Sequence, residues 1–166
     1  MKLKNSAILF LLLVIPLIGG TQTTWKTLET EWYSIKYPSE WIFKRVNDQN
    51  FALMDSEQSP SFYVGFEIVN YEGSLEEYEE DVLNHSGLDH ITSVKRDRIK
   101  CGNYEFVQVS LVGTSDNPPE KLRTDEKFTF YQKKLIIISA IYNDDAHAKD
   151  FEKTIQRFFD SLKLTN

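Results

Sequence analysis

Apolar residues recur at every second position in several stretches of the chain and at every third or fourth position in two others, and these two periods lay out its elements. Tyr33, Ile35 and Tyr37 alternate with Ser34 and Lys36, the period of a half-buried strand. Pro38 ends that strand because it has no N–H to give to a ladder. Trp41 follows one short turn later and is placed to fold back over the strand's inner face, beside Tyr37. Phe51-Ala52-Leu53-Met54 reads as a second strand, bounded by polar residues on both sides. Phe62, Val64, Phe66 and Ile68 share one face of a third.

The period then changes. Ser74 with Glu77 three residues later forms a capping box, and Leu75, Tyr78 and Val82 make one apolar stripe, so a helix starts here. Glu76, Glu77, Glu79, Glu80 and Asp81 fill its other face, and Gly87 closes it. From Ile91 the strand period returns and runs to Cys101-Gly102-Asn103, a tight-turn sequence. Tyr104 to Leu111 is the returning arm of that hairpin. Thr114 to Leu122, with Pro118-Pro119, reads as the longest loop. Phe128 to Tyr131, a turn at Lys133-Lys134, and Leu135 to Tyr142 form a second hairpin. Leu135-Ile136-Ile137-Ile138 is apolar on both faces, as expected of a central strand covered on both sides. A last helix starts near Asp144 or Asp145 and carries Phe151, Ile155, Phe158, Phe159 and Leu162 on one stripe. The expected class is α+β: a mainly antiparallel sheet of about six strands covered by helices on both faces.

Composition sets the compartment and excludes several functions. Lys2 and Lys4 precede an unbroken apolar run from Ala7 to Ile18, and Gly19-Gly20 leads into polar residues, so residues 1–20 read as an export signal. The run falls short of the ~20 apolar residues that cross a bilayer; an uncleaved N-terminal anchor is the alternative. Residues 21–30 read as a leader, and 31–166 as one domain. The whole chain carries 19 basic and 25 acidic residues. Removing the signal takes away two lysines and no acids, so the remainder stands at 17 − 25 = −8. So acidic a domain is not expected to hold nucleic acid or to dock on anionic lipid. Cys101 is the sole cysteine, which excludes an internal disulfide and a cysteine-based metal site.

Ile35-Lys36-Tyr37-Pro38-Ser39-Glu40-Trp41, just after a signal segment, together with the Cys101-Gly102-Asn103 turn ahead of Tyr104–Leu111, resembles the PsbP-like family. The order of elements matches over nearly the whole chain after the signal. This resemblance implies a helix–sheet–helix sandwich. It also implies the role of a binding or assembly factor, since the family includes extrinsic photosystem II subunits on the lumenal face and exported proteins such as the DcrB-like lipoproteins. The lipobox cysteine of those lipoproteins is missing here, and no family metal ligand maps onto this sequence residue by residue.

Candidate chemistry is sparse. His85 and His90 flank Gly87 with Asp89 between them, and a histidine pair with a carboxylate is the best candidate for a divalent metal. Their spacing across a helix end fixes no geometry, unlike two histidines one helical turn apart, so no metal is expected. No serine stands in a nucleophile elbow, no glycine-rich phosphate loop is present, and the carboxylate pairs fall on solvated helix faces or caps. Neither a catalytic residue nor a cofactor is expected. Trp25 and Trp32 precede the first clear strand and are the candidate partner-contact residues. The expected function is a non-enzymatic binding or assembly module that meets a protein at the outer face of the membrane. A small-molecule or divalent-metal-binding domain is the alternative.

Overall fold

In the computed structural model, which describes residues 23–58, 60–116 and 119–165, ten strands and two helices follow one another. They are β1 (Trp25–Glu29), β2 (Tyr33–Pro38), β3 (Ile42–Arg45), β4 (Phe51–Met54), β5 (Phe62–Val69), α1 (Leu75–Asn84), β6 (His90–Cys101), β7 (Tyr104–Asp116), β8 (Pro119–Tyr131), β9 (Lys134–Asn143), α2 (Ala148–Asp160) and β10 (Lys163–Leu164). Seven strands form one sheet in the order β3-β4-β5-β9-β8-β7-β6, and three form a second in the order β1-β2-β10. Every pairing is antiparallel. The class is therefore α+β with a mainly antiparallel sheet, as expected. The export-signal segment, residues 1–20, lies outside the described residues.

Central strand β9 is buried on both faces, and its alternation sorts the core. Ile136, Ile138, Ala140 and Tyr142 face α2 and the small sheet, while Leu135 and Ile137 face α1. On the first side Tyr33 and Ile35 of β2 pack with Phe51, Val64 and Phe66, and with Ile155, Phe158 and Phe159 of α2. The Tyr33 ring lies 4.3 Å from that of Phe66, and burial pushes its hydroxyl pKa up to about 12. On the other side α1 sets Val82 and Tyr78 against Val107, Val109 and Phe128. The expectation of helices on both faces is met only roughly. Tyr63 and Glu67, which alternate with the inward-facing residues of β5, are exposed, so α1 leaves that end of its face open.

Four readings need correction. The main sheet has seven strands where about six were expected, three more form the small sheet, and two of the strands are too short to show a period: β3 has four residues and β10 two. The segment read as a leader contains β1, which pairs along β2 from Trp25↔Pro38 to Glu29↔Ser34. The long loop is absent: β7 and β8 run as paired strands out to Asp116↔Pro119. The polar stretch there is extended because neighbouring strands satisfy its backbone groups, which outweighs side-chain composition. Finally, Trp41 is buried in the core as expected, but the ring of Tyr37 stacks on Phe43 instead of on it. The Trp41 ring sits on Phe62 at 4.7 Å, with Phe151 and Phe158 of α2 at 5.9 and 6.4 Å.

Both hairpin turns show why the strands reverse where they do. Gly102 takes φ +58° between Cys101 and Tyr104. The second turn falls one residue earlier than expected, at Gln132 and Lys133, which adopt φ 49° and 62° between Tyr131 and Lys134. Two positive φ values in a two-residue turn match the right-handed twist of the strands, but a side chain there is strained.

Trp41→Ala is expected to lower stability by roughly 3–5 kcal/mol in chemical denaturation, because it opens a cavity between the sheet and α2. A loss under about 1 kcal/mol would show that the ring is not held there. Lys133→Gly should raise stability by about 0.5–1 kcal/mol, since relief of left-handed strain exceeds the entropy cost of glycine. A drop in melting temperature for that variant would refute the turn geometry.

Candidate functional site

Strand β8 places alternating charges on the face it shares with α2. Arg123, Asp125 and Lys127 point to that side in register with Tyr142, Ala140 and Ile138 of β9, while Thr124, Glu126 and Phe128 belong to the opposite face. Helix α2 buries its aromatic stripe over β9 and the small sheet, and its Phe159 meets Phe106 of β7 and Cys101 of β6 at their hairpin end; farther along β7 and β6 the lining of this face turns polar. A polar groove of about 670 Å³ remains there. Its floor is Ser93, Lys95, Gln108 and Ser110 of β6 and β7, with the charges of β8. Lys149, Glu152, Lys153 and Gln156 of α2 form its wall. That volume lies within the ~300–1,000 Å³ of sites that hold small molecules.

A hydrogen-bonded network occupies one end of the groove. The Tyr142 hydroxyl donates to Asp125 Oδ2 at 2.6 Å and lies 3.4 Å from Glu152 Oε1. Arg123 bridges Glu152 and, at 2.9 Å, Asp144, which also meets the Lys121 ammonium at 2.5 Å. The hydrogen bond from Lys121, reinforced by Arg123, holds the Asp144 carboxyl below the usual carboxylate range. Burial, with Asp125 beside it, raises the Tyr142 hydroxyl well above an ordinary tyrosine. Both carboxylates of the groove therefore already accept from protein donors. Arg123 is spent on the same network, although its Nε is buried without a partner among the described residues.

Lys127 is the exception. It is 3% exposed, lines the groove, and makes no hydrogen bond or ion pair among the described residues. Its ammonium rests 5.4 Å from the centre of the Phe159 ring. Burial pulls its pKa below that of a free lysine, and Asp125 and Asp160 only partly oppose this. The charged form is thus less stable in the folded chain than in the unfolded one. The resulting penalty is full below the folded pKa and lifts as pH climbs from there to the ordinary lysine value. Buried charges are normally paired, so an unpaired one beside a groove marks a functional candidate.

A smaller depression of about 470 Å³ lies across the sheet, beside α1. There Tyr78 donates to Glu126 at 2.7 Å. Burial raises the Glu126 carboxyl, against that bond. Thr124 Oγ1 is buried without a partner among the described residues.

The residues singled out from sequence lie elsewhere. His85 caps α1, its Nδ1 being 3.1 Å from the Asp81 carbonyl oxygen. Asp89 and His90 both meet Asp116 of β7: Asp89 Oδ2 accepts from its backbone N–H at 2.7 Å, and His90 Nε2 lies 3.6 Å from its carboxylate. The fold thus joins Asp89 and His90 to β7 and leaves His85 on the helix. Among the described residues no group of three or more histidine, cysteine or acidic side chains could hold a metal ion. Trp25 and Trp32 are half-buried against the core rather than displayed. Arg157 stacks on the first at 4.5 Å and Lys134 on the second at 5.0 Å. Cys101 is buried and donates to the Phe159 carbonyl at 3.0 Å, and burial pushes its thiol up to about 11.

None of the groove residues drew attention in the sequence. The signal available was the every-second-residue run Arg123, Asp125, Lys127, which shows strand period in charges rather than in apolar residues.

No family model matches the chain, and no curated protein matches it in sequence. Solved structures do match in fold. The Ran-binding protein Mog1p of Saccharomyces cerevisiae is 10% identical with a TM-score of 0.60, over 87% of this chain and 97% of that one. Cyanobacterial PsbP from Synechocystis is 12% identical with a TM-score of 0.53, over 88% and 95%. LpqN of Mycobacterium tuberculosis, involved in cell envelope biogenesis, is 8% identical with a TM-score of 0.56, over 87% and 91%. This chain therefore has the PsbP/Mog1-like fold that its sequence resemblance implied.

Lys127→Met should leave the fold intact and its stability unchanged or up to about 2 kcal/mol higher at neutral pH, because it removes a buried charge and keeps the volume. The gain should shrink as pH rises toward the lysine range. Denaturation across that range would show it, and a loss above about 1 kcal/mol would mean that the ammonium has a structural partner.

Proposed function

We propose that this chain is an exported, non-catalytic binding or assembly module that engages a protein partner near the outer face of the membrane. The observation that carries this reading is the fold. Among its fold neighbours, Mog1p is named as a Ran-binding protein and LpqN as a participant in cell envelope biogenesis; neither name describes a reaction. The compartment rests on the Lys2/Lys4 and Ala7–Ile18 pattern, with residues 1–20 as the cleaved signal. Among the described residues no helix is long and apolar enough to cross a membrane. The chemistry of the groove agrees with binding. Its carboxylates are engaged by Tyr142 and Arg123, and the one cysteine is buried with a raised pKa. The groove also supports a second reading, a small-molecule-binding domain on the same scaffold.

Tagged protein expressed in its native host should be recovered outside the cytoplasm, with an intact mass lacking residues 1–20. Mild crosslinking and capture from the membrane fraction should then yield a defined protein complex. Full-length chain confined to the cytosol would refute export. Capture that yields no protein, with a small molecule retained through purification, would replace the assembly reading with the second one.

A further inference from the structure

We infer that the groove beside α2 receives an anionic oxygen group, a carboxylate or phosphate, which seats on the Lys127 ammonium and is framed by Lys95 of the floor and Lys149 and Lys153 of the wall. The inference rests on the binding-module reading and gives that module's ligand a chemical class.

Charge distribution is the first argument. The whole chain is −6, yet the groove is lined by five basic residues and two acidic ones, so its lining stands at 5 − 2 = +3. The second argument is where those acids are committed. Asp125 accepts from Tyr142, and Glu152 accepts from Arg123. Neither pairs directly with Lys127, whose charge Asp125 and Asp160 offset only in part; its side chain is nine-tenths buried or more and its ammonium rests against the face of Phe159. An ammonium held in that state is at a disadvantage until a counter-charge arrives, and the open groove is the route by which one arrives.

Geometry supplies the third argument. Lys149 is exposed and makes no ion pair among the described residues, so it can turn toward an incoming anion. Ser93, Gln108 and Ser110 on the floor offer neutral hydrogen bonds that orient the group without competing for charge. Arg123 already bridges two carboxylates, so no planar guanidinium fork is free. The donors left are lysines, of which Lys95 and Lys153 must exchange exposed ion pairs with Asp97 and Asp150; lysines act as point charges and accept planar carboxylate and tetrahedral phosphate alike. One such group can come from a free small anion or from an acidic segment of the partner protein.

Calorimetric titration at low salt with citrate, inorganic phosphate and a short Asp/Glu-rich peptide tests this and separates the two sources. The variants are Lys127→Met, the double change Lys149→Glu with Lys153→Glu, and Lys44→Ala on distant β3 as control. At least one probe should bind the wild type with a Kd of about 100 μM or below. Lys127→Met should weaken that probe by about tenfold or more, as loss of a charge-assisted hydrogen bond does, while Lys44→Ala leaves it unchanged. Binding of the peptide alone places the anion on the partner; binding of citrate or phosphate alone makes it a free ligand. The exposed double variant decides the matter if Lys127→Met does not fold. Failure of all three probes, equal binding by wild type and Lys127→Met, or equal loss in Lys44→Ala overturns the inference. Repeating the partner capture with Lys127→Met separates the two readings. A partner retained undiminished, with no anion bound, leaves the module and removes the groove; anion binding with no protein captured by the wild type does the reverse.

Discussion

A sheet this wide must be covered, and the elements available to cover it are too narrow. Seven strands with six spacings of about 4.8 Å make a sheet about 29 Å across, while a helix with its side chains is about 10–12 Å wide. On one face the small sheet β1-β2-β10 shares the work with α2, and their aromatic side chains converge on β9 and β5. Phe158 and Phe159, both fully buried, anchor α2 there. What they leave uncovered is the stretch of β8, β7 and β6 beyond the contact of Phe159 with Phe106. It carries serine, glutamine and charges in place of an apolar surface.

The groove is therefore a product of incomplete coverage, and β8 shows how one strand serves two purposes. Phe128 belongs to the core under α1, while the residue before it, Lys127, faces the groove. A strand alternates its side chains strictly, so a single run of thirteen residues can complete a core and line a polar site at once. The charges that line the site are not equivalent. Asp125 accepts from Tyr142, and Arg123 ties Glu152 to Asp144, which stiffens the end of the groove nearest the helix start. Lys127 is held apart from them and bears an unfavourable electrostatic position. Natural proteins accept such positions mainly where a function uses them.

Mog1p and the cyanobacterial PsbP match this chain along most of their length at about a tenth of sequence identity. What is shared at that distance is the layering of strands and helices. A fold hosts many sites, so the shared scaffold by itself names no ligand, and side chains such as Lys127 and Lys149 are where this chain's own chemistry is written.

The sequence by itself determined the elements whose apolar residues repeat. Strands β2, β4, β5 and β9, the capping box of α1 and the aromatic stripe of α2 could all be read, because burial of one face imposes a period that survives in the residues. Even the central place of β9 followed from its being apolar on both sides. Tertiary structure alone decided the rest. It paired β1 and β10 with β2, drew the polar ends of β7 and β8 into a continuous ladder, and chose Phe62 and the aromatics of α2 as the partners of Trp41. It also set Lys127 of β8 opposite Lys149 of α2, far apart in the chain. Short strands and polar strands take their conformation from backbone hydrogen bonds to neighbours, and those bonds leave no mark in side-chain order. A site lined by hydrophilic residues has no period to announce it. It exists only where the helix leaves a polar stretch of β8, β7 and β6 uncovered.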